Sequence, residues 1–156
     1  MSELAQQIEP VLNGTRQARG EDIYAISMLG YEALKKHPAP RQVLSSDKLR
    51  KLAEVCVSDP KNFAWVGVKD GEVVAALCAL VHPQMVYERH QASVVQWYSR
   101  EPGYGGLLMR RFVHWYRGIR RIKCACLVDD VDIDARMARF LERIGFARSS
   151  AWTDWK

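Results

Sequence analysis

The stretch Gln91–Gly118, QASVVQWYSREPGYGGLLMRRFVHWYRG, constrains the fold more than any other part of the chain. Ala92–Tyr98 is rich in β-branched and aromatic side chains, as a buried strand prefers. Leu108, Phe112, Trp115 and Tyr116 recur at three- and four-residue steps, as one face of a helix does. A strand therefore runs into a helix near Gly103–Gly106. Glycines there let the backbone come close to a ligand, and the first-turn amides of the new helix have no intrahelical acceptors. Such a turn is an anion cradle. The helix dipole contributes about 0.3–1 kcal/mol to a nearby anion and each hydrogen bond to a charged oxygen about 1.5–3 kcal/mol, so three or four amides hold a pyrophosphate without any catalytic side chain.

The glycines do not make a dinucleotide-binding fingerprint, because G-x-G-x-x-G needs a glycine at 108, where Leu108 stands. The net charge of +5 raises nucleic acid as a partner, and Arg110, Arg111, Arg117, Arg120, Arg121 and Lys123 cluster after the glycine turn. The chain lacks the stacking-aromatic or helix-turn-helix pattern of a nucleic-acid binder, and a basic cluster beside a phosphate loop serves equally to steer and neutralise phosphates.

With 156 residues, 48% of them hydrophobic, the sequence is expected to form one domain over 1–156, with 1–13 an irregular tail. No run approaches the roughly 18–20 apolar residues that cross a bilayer, and the start lacks the charged-then-apolar pattern of a signal peptide, so a cytoplasmic protein is expected. Cys56, Cys78, Cys124 and Cys126 all fall inside expected helix or strand. Cys124-Ala-Cys126 puts two thiols on one strand face rather than in a metal loop, so buried free thiols and no metal are expected.

In chain order, Thr15–Ala18 reads as a first strand. A helix follows Glu21-Asp22 to about Lys36, with Tyr24, Met28 and Tyr31 on one face and a break at His37-Pro-Ala-Pro40. Ser45 or Ser46 caps a second helix with Leu49, Leu52 and Cys56 as its apolar stripe. Phe63–Val68 and Val73–Val81 form a hairpin around Asp70-Gly71. Tyr87, Glu88, Arg89 and His90 form a group of acid/base-capable side chains just before the core strand, an expected acceptor rim or else a polar loop. Ile122–Val128 reads as a strand. Asp129, Asp130 and Asp132 then precede a helix whose apolar face carries Ile133, Met137, Phe140, Leu141 and Ile144. Gly145 ends that helix, and Ala147–Trp155 returns as a final strand. Trp152 and Trp155, if on an edge strand, favour a homodimer contact, packing within the domain being the other reading.

Arg100-Glu-Pro-Gly103-Tyr-Gly105 reads R-x-x-G-x-G, and Ala138-Arg-Phe-Leu-Glu-Arg-Ile-Gly-Phe146 is similar to the A-x-x-F-Y-E-K-L-G-F ending of one family. Together, over roughly Phe63 to the C-terminus, they resemble the GNAT superfamily of acyl-CoA-dependent N-acyltransferases. The resemblance implies an α/β fold, a mixed and mostly antiparallel central sheet flanked by helices. It implies acetyl-CoA as cosubstrate, bound by Trp97, Ser99, Arg100, Gly103, Tyr104, Gly105 and Gly106, and direct attack by a primary amine, small molecule or peptide. A backbone amide from about Trp97–Ser99 would polarise the thioester oxygen, and the two helices after the first strand would line the acceptor side, putting Tyr24, Tyr31 and His37 within reach of substrate.

Three departures stand out. Pro102 removes an amide, Asp134 stands where an asparagine often helps hold the cofactor arm, and Leu141 takes the place of a tyrosine that protonates the departing thiolate. Strand alternation puts Val94, Gln96 and Tyr98 on one face and Ser93, Val95 and Trp97 on the other. Gln96 and Tyr98 are therefore the candidate catalytic side chains, with His90 or Glu88 acting through water. The competing reading is a non-catalytic CoA-binding or protein-interaction module on the same fold.

Overall fold

The computed structural model describes residues 11–36, 44–128, 131, 133–149 and 151–156. Seven strands form one sheet in the order β1-β2-β3-β4-β5-β7-β6. They are β1 (Gly14–Gln17), β2 (Phe63–Lys69), β3 (Glu72–Pro83), β4 (His90–Ser99), β5 (Ile122–Leu127), β6 (Ala147–Arg148) and β7 (Trp152–Trp155). Every neighbouring pair is antiparallel except β4 and β5. Helices α1 (Ile23–Lys36) and α2 (Ser46–Ser58) are joined by α3 (Tyr104–Arg117) and α4 (Ala135–Arg143). The α/β fold read from the sequence is the observed one.

Two apolar layers hold the sheet. On one side Leu108, Phe112 and Tyr116 of α3 and Leu141 of α4 pack on Leu77, Val94 and Trp97. On the other, Ile26 and Leu29 of α1 and Ala53 and Cys56 of α2 pack on Val66, Val68 and Cys78. Helix α1 therefore turns a different face inward from the one its aromatic residues suggest. Tyr24 is 74% exposed and Met28 42%, while Ile26, Leu29 and Gly30 are buried. Gly30 explains the rotation. A β-carbon there would lie 2.9 Å from Gln96 Oε1, so α1 approaches β4 closely along the side that carries the glycine.

The hairpin β2–β3 turns on Asp70 (φ 51°) and Gly71 (φ 80°), the pair of left-handed residues that a tight two-residue turn requires. Leu12 and Asn13, expected in an irregular tail, brace it: Gly71 N donates to Leu12 O and Asp70 N to Asn13 Oδ1. Ser45 caps α2 by accepting from Lys48 N. The final segment is a hairpin rather than one strand, and β7 lies inside the sheet between β5 and β6, so it is no edge. Trp152 is 7% exposed and belongs to the core, whereas Trp155 is 56% exposed. Asp154 ties β7 to α3, accepting from Tyr116 Oη and from Arg117 Nη2 at 2.8 Å. All four cysteines are free. Cys124 and Cys126 share a sheet face, each in contact with Gln91, and burial pushes the Cys124 thiol upward. No described helix is long and apolar enough to cross a membrane.

Strand β1 is fastened to the entry of α1 by a bidentate pair, Arg16 Nη1 to Asp22 Oδ2 at 2.6 Å and Arg16 Nη2 to Asp22 Oδ1 at 2.9 Å. Asp22 is 4% exposed and also accepts from Arg19 N. Burial alone would raise its pKa, but the Arg16 hydrogen bonds and the Arg19 amide outweigh burial and hold it below the usual carboxylate range. A folded-state pKa below the unfolded one means that the pair stabilises fully above about pH 4, and that this contribution is lost as pH falls through the depressed value. Asp22→Asn is expected to cost about 3 kcal/mol at pH 7 by leaving a partly buried guanidinium without its counter-ion. In urea denaturation at a series of pH values, the gap between wild type and variant should narrow from about pH 4 downward.

Candidate functional site

The site begins with a fault in strand pairing. Opposite β3, Gln96 pairs with Cys78 and Val94 with Ala79, so Val95 is an extra residue on β4. On its other edge β4 pairs in parallel with β5 only from His90↔Ile122 to Val94↔Leu127, with Val128 N donating to Val94 O at 3.1 Å as the last rung. From Val95 to Ser99 the two strands part.

The bulge resets the alternation of side chains. Val94 and Trp97 both join the core under α3, while Val95 and Tyr98 pack toward α1. The expected grouping of Val94 with Gln96 and Tyr98, and of Val95 with Trp97, is corrected by one inserted residue. Gln96 and Tyr98 do face the same way.

The bulge also decides which amides are free. Arg100 N donates to Val74 O, across on β3. Alternation back along β4 turns the amides of Tyr98 and Gln96 toward β3 as well, and those of Trp97 and Ser99 toward the edge that β5 has left.

A cleft of about 520 Å³ opens at this parting and runs through the plane of the sheet. Val95–Ser99 form its floor. Gly30, Ala33, Leu34 and Lys36 of α1 with Leu49 of α2 form one wall, and Met137 and Phe140 of α4 form the other. The turn Glu101–Gly103 and the first residues of α3 close one end. Gly103 is the N-cap of α3, with φ 91°, and the first intrahelical bond is Leu107 N to Gly103 O. The amides of Tyr104, Gly105 and Gly106 thus have no acceptor within the helix.

The two glycines that follow leave room on both sides. A β-carbon at Gly105 would sit 3.5 Å from Trp97 Nε1, and one at Gly106 would sit 3.6 Å from the Phe140 ring. Trp97 Nε1 donates to Gly105 O at 2.9 Å, which pins the glycine turn to the strand below it. Ser99 Oγ accepts from Glu101 N and donates to Glu101 O, holding the turn.

Not every expected contact lies in the cleft. The Tyr104 ring leaves it and lies on Gly67 of β2, where a β-carbon would approach to 2.7 Å. Arg100 turns to α1, its Nε 2.8 Å from Glu32 Oε2; that hydrogen bond holds the Glu32 carboxyl below its usual range. Tyr87, Glu88, Arg89 and His90 stand at the opposite end of β4, about 30 Å from Ser99 at the rise of an extended strand, and line none of the cleft. Arg89 stacks there between Tyr87 and Trp155. Tyr24 and Tyr31 do not line the cleft either; His37, Asp129, Asp130 and Asp132 lie outside the described residues.

Within the cleft, Gln96 Nε2 donates to Ile26 O at 2.9 Å, so its amide is committed to α1. Tyr98 Oη accepts from Lys36 Nζ at 2.6 Å. That contact with Tyr98 raises the Lys36 pKa, against desolvation and with a smaller contribution from the Glu32 charge. Leu141 is fully buried in the core, and its neighbour Phe140 is the residue that faces the cleft, 6.5 Å between ring centroids from Trp97. Asp134 caps α4, its Oδ1 accepting from Met137 N at 2.8 Å.

The cations on the cleft wall are Arg136 and Arg143 of α4, together with Lys36, rather than the cluster after the glycine turn. Arg110 and Arg111 lie over Phe140 and Trp65, and Arg117 holds Asp154. The spacing of Arg136 and Arg143, two turns apart on one helix face, was the available signal for them.

A mostly antiparallel sheet whose one parallel pair splays beside a glycine-opened helix is the arrangement expected from the resemblance to the acyl-CoA-dependent acyltransferases. The model of the GNAT acetyltransferase family matches residues 21–146, and the chain belongs to that family. No curated protein matches the sequence significantly. A predicted acetyltransferase of Clostridium acetobutylicum, solved with acetyl-CoA, superposes with a TM-score of 0.68 at 15% identity, over 86% of this chain and 90% of that one. A GNAT family acetyltransferase of Brucella melitensis in complex with acetyl-CoA gives 0.65 at 17%, over 90% and 86%. An aminoglycoside acetyltransferase from an uncultured soil metagenomic sample, in complex with sisomicin, gives 0.53 at 15%, over 85% of each. At these identities the likeness is one of fold.

The Gln96 geometry makes a direct forecast. Gln96→Ala should lower stability by about 1 kcal/mol in chemical denaturation, because α1 loses its side-chain anchor on β4 while Ile26 O, inside the helix, keeps only its helical donor.

Proposed function

We propose that the protein is an acetyl-CoA-dependent N-acetyltransferase that passes the acetyl group to a primary amine by direct attack. The observation that carries this reading is the meeting, in one cleft, of the unpaired edge of β4 with the open first turn of α3. A pyrophosphate suits the amides of Tyr104, Gly105 and Gly106, and the 3′-phosphate of CoA suits Arg136 and Arg143 along the same wall. The amide-bearing arm of CoA suits the strand edge at Trp97 and Ser99, whose amides point into the gap. Arg100 acts on this reading from outside, steadying the turn through Glu32.

Acetyl-CoA supplies an activated thioester. An amide of the β4 edge polarises its carbonyl oxygen, and the acceptor approaches from the α1 side. A lysine-like amine has a pKa of about 10.4, so its neutral form costs about 4.6 kcal/mol at pH 7. Binding in a partly apolar wall of Ala33, Leu34 and Leu49 offsets part of that cost. On this reading Tyr98, the phenol on the cleft floor, returns a proton to the departing sulfur, since Leu141 has none to give. Gln96 supports the floor. A non-catalytic CoA-binding module is the second reading, favoured by the complete burial of Leu141.

Calorimetric titration should show micromolar acetyl-CoA binding, weakened for 3′-dephospho-CoA; no heat in either titration sinks both readings. Gly105→Glu has room for its β-carbon, so the variant should fold, yet its carboxylate at the phosphate cradle should weaken binding roughly 100-fold. Tyr98→Phe is expected to lower turnover about 100-fold, on the order of the smaller effects of general acids, with CoA affinity unchanged. Full activity in that variant would remove Tyr98 from proton transfer.

A further inference from the structure

Lys36 is a cation that acyl transfer itself does not require. It ends α1, lines the cleft, and its Nζ is held by Tyr98, 2.6 Å from the hydroxyl and 5.0 Å from the ring centroid. The partner is a phenol, and among the described residues Lys36 forms no ion pair. The acids around it have other first partners, although the Glu32 charge also reaches Lys36. Glu32 holds Arg100 at 2.8 Å, Glu101 holds Lys69 at 3.2 Å, and Asp134 caps α4. The other charged side chains on the lining, Arg136 and Arg143, are cations.

An acceptor carrying several ammonium groups therefore meets a like charge at Lys36, and the carboxylates on the described lining, Glu101 and Asp134, already bond Lys69 and the first turn of α4. An acceptor carrying a carboxylate meets Lys36. An exposed lysine is protonated near neutral pH and its contact with Tyr98 favours the charged form further, which suits an anion-binding role and not that of a nucleophile. Beside Lys36, Ala33, Leu34, Leu49 and Val95 form an apolar wall on the same side of the cleft.

We propose that the acceptor is a small amino acid-like amine with an apolar side chain, its carboxylate paired with Lys36 Nζ and its amine turned toward the thioester. This assignment rests on the acetyltransferase reading and names its substrate class. In the transfer, the neutral amine forms the new N–C bond as the C–S bond breaks. The ammonium proton lost beforehand goes to solvent; the sulfur takes a proton from Tyr98 and leaves as the thiol, and the proton that the nitrogen sheds on becoming an amide passes through solvent to restore the phenol.

The test measures CoA release by wild type, Lys36→Ala and Lys36→Arg with apolar L-amino acids, their carboxamides and spermidine, beside calorimetry of acetyl-CoA binding. Wild type should favour the acids over the amides by about threefold to fivefold in kcat/KM, chiefly through KM, once each rate is referred to the fraction of neutral amine. Lys36→Ala should bring that ratio, so corrected for neutral amine, close to one, and Lys36→Arg should restore part of it. The ratio cancels any effect of Lys36 on Tyr98 that acts equally on acid and amide. Amides or spermidine used as well as the acids, or an unchanged ratio in Lys36→Ala, overturns the proposal and leaves acyl transfer standing. Acetyl-CoA binding with no turnover of any of these amines also overturns it, and failure to bind acetyl-CoA overturns both.

Discussion

The site depends on a backbone that has lost its partner. A β-strand inside a sheet must satisfy the amides and carbonyls on both of its edges, and β4 does so on both only as far as Val94. Beyond that point β5 is gone, and the groups of Trp97 and Ser99 face a gap. Two local features open it. Val95 adds a residue that twists β4 away, and β5 ends at Leu127, the residue of the last shared pair. The glycine turn then lies at the mouth of the gap, so donors of two kinds, strand edge and helix terminus, point into one volume.

The neighbouring parts fix the spacing of that arrangement. Trp97 spans from the floor to Gly105 O, and the Tyr104 ring is seated on Gly67, so the first turn of α3 is held from below and from the side. Across the sheet, Gln96 reaches Ile26 O and draws α1 against β4 where Gly30 has no side chain. Pre-organised donors of this kind need little rearrangement when charge is delivered to them. The single glycine at 30 matters as much to the acceptor wall as the three after Pro102 do to the phosphate end.

Much of this was legible in the sequence because it is written in local chemistry. The glycines at 103, 105 and 106, the Asp70-Gly71 turn, the cap at Ser45, the stop at Gly145 and the shared face of Cys124 and Cys126 follow from what those residue types do at short range. What was not legible depends on a partner far along the chain. Period-two alternation cannot show an inserted residue, because Val95 is extra only relative to Cys78 and Ala79 on β3. The inward face of α1 was misread because aromatic residues outweigh Gly30 in any hydrophobic pattern, while packing selects the side that fits closest. Tyr87–His90 sits near the core strand in sequence and at its far end in space, since a strand of ten residues separates its two ends by most of a domain. Lys36 gave no signal because its meaning comes from Tyr98, 62 residues on.

The parallel pairing of β4 with β5 also has a bearing on the order of assembly. β2, β3 and β4 are joined by short connections and can zip together as a meander. β5 must be carried back across the whole of α3 before its first rung forms, and its far edge waits for β7. Loop closure therefore weighs on the half of the sheet that gives the cleft its second wall. A chain that has formed only the meander already has the floor at Val95–Ser99 but nothing opposite it. The capacity to bind is thus a late product of folding, and a lesion that slows the docking of β5 would reduce the yield of competent molecules without touching a residue of the site.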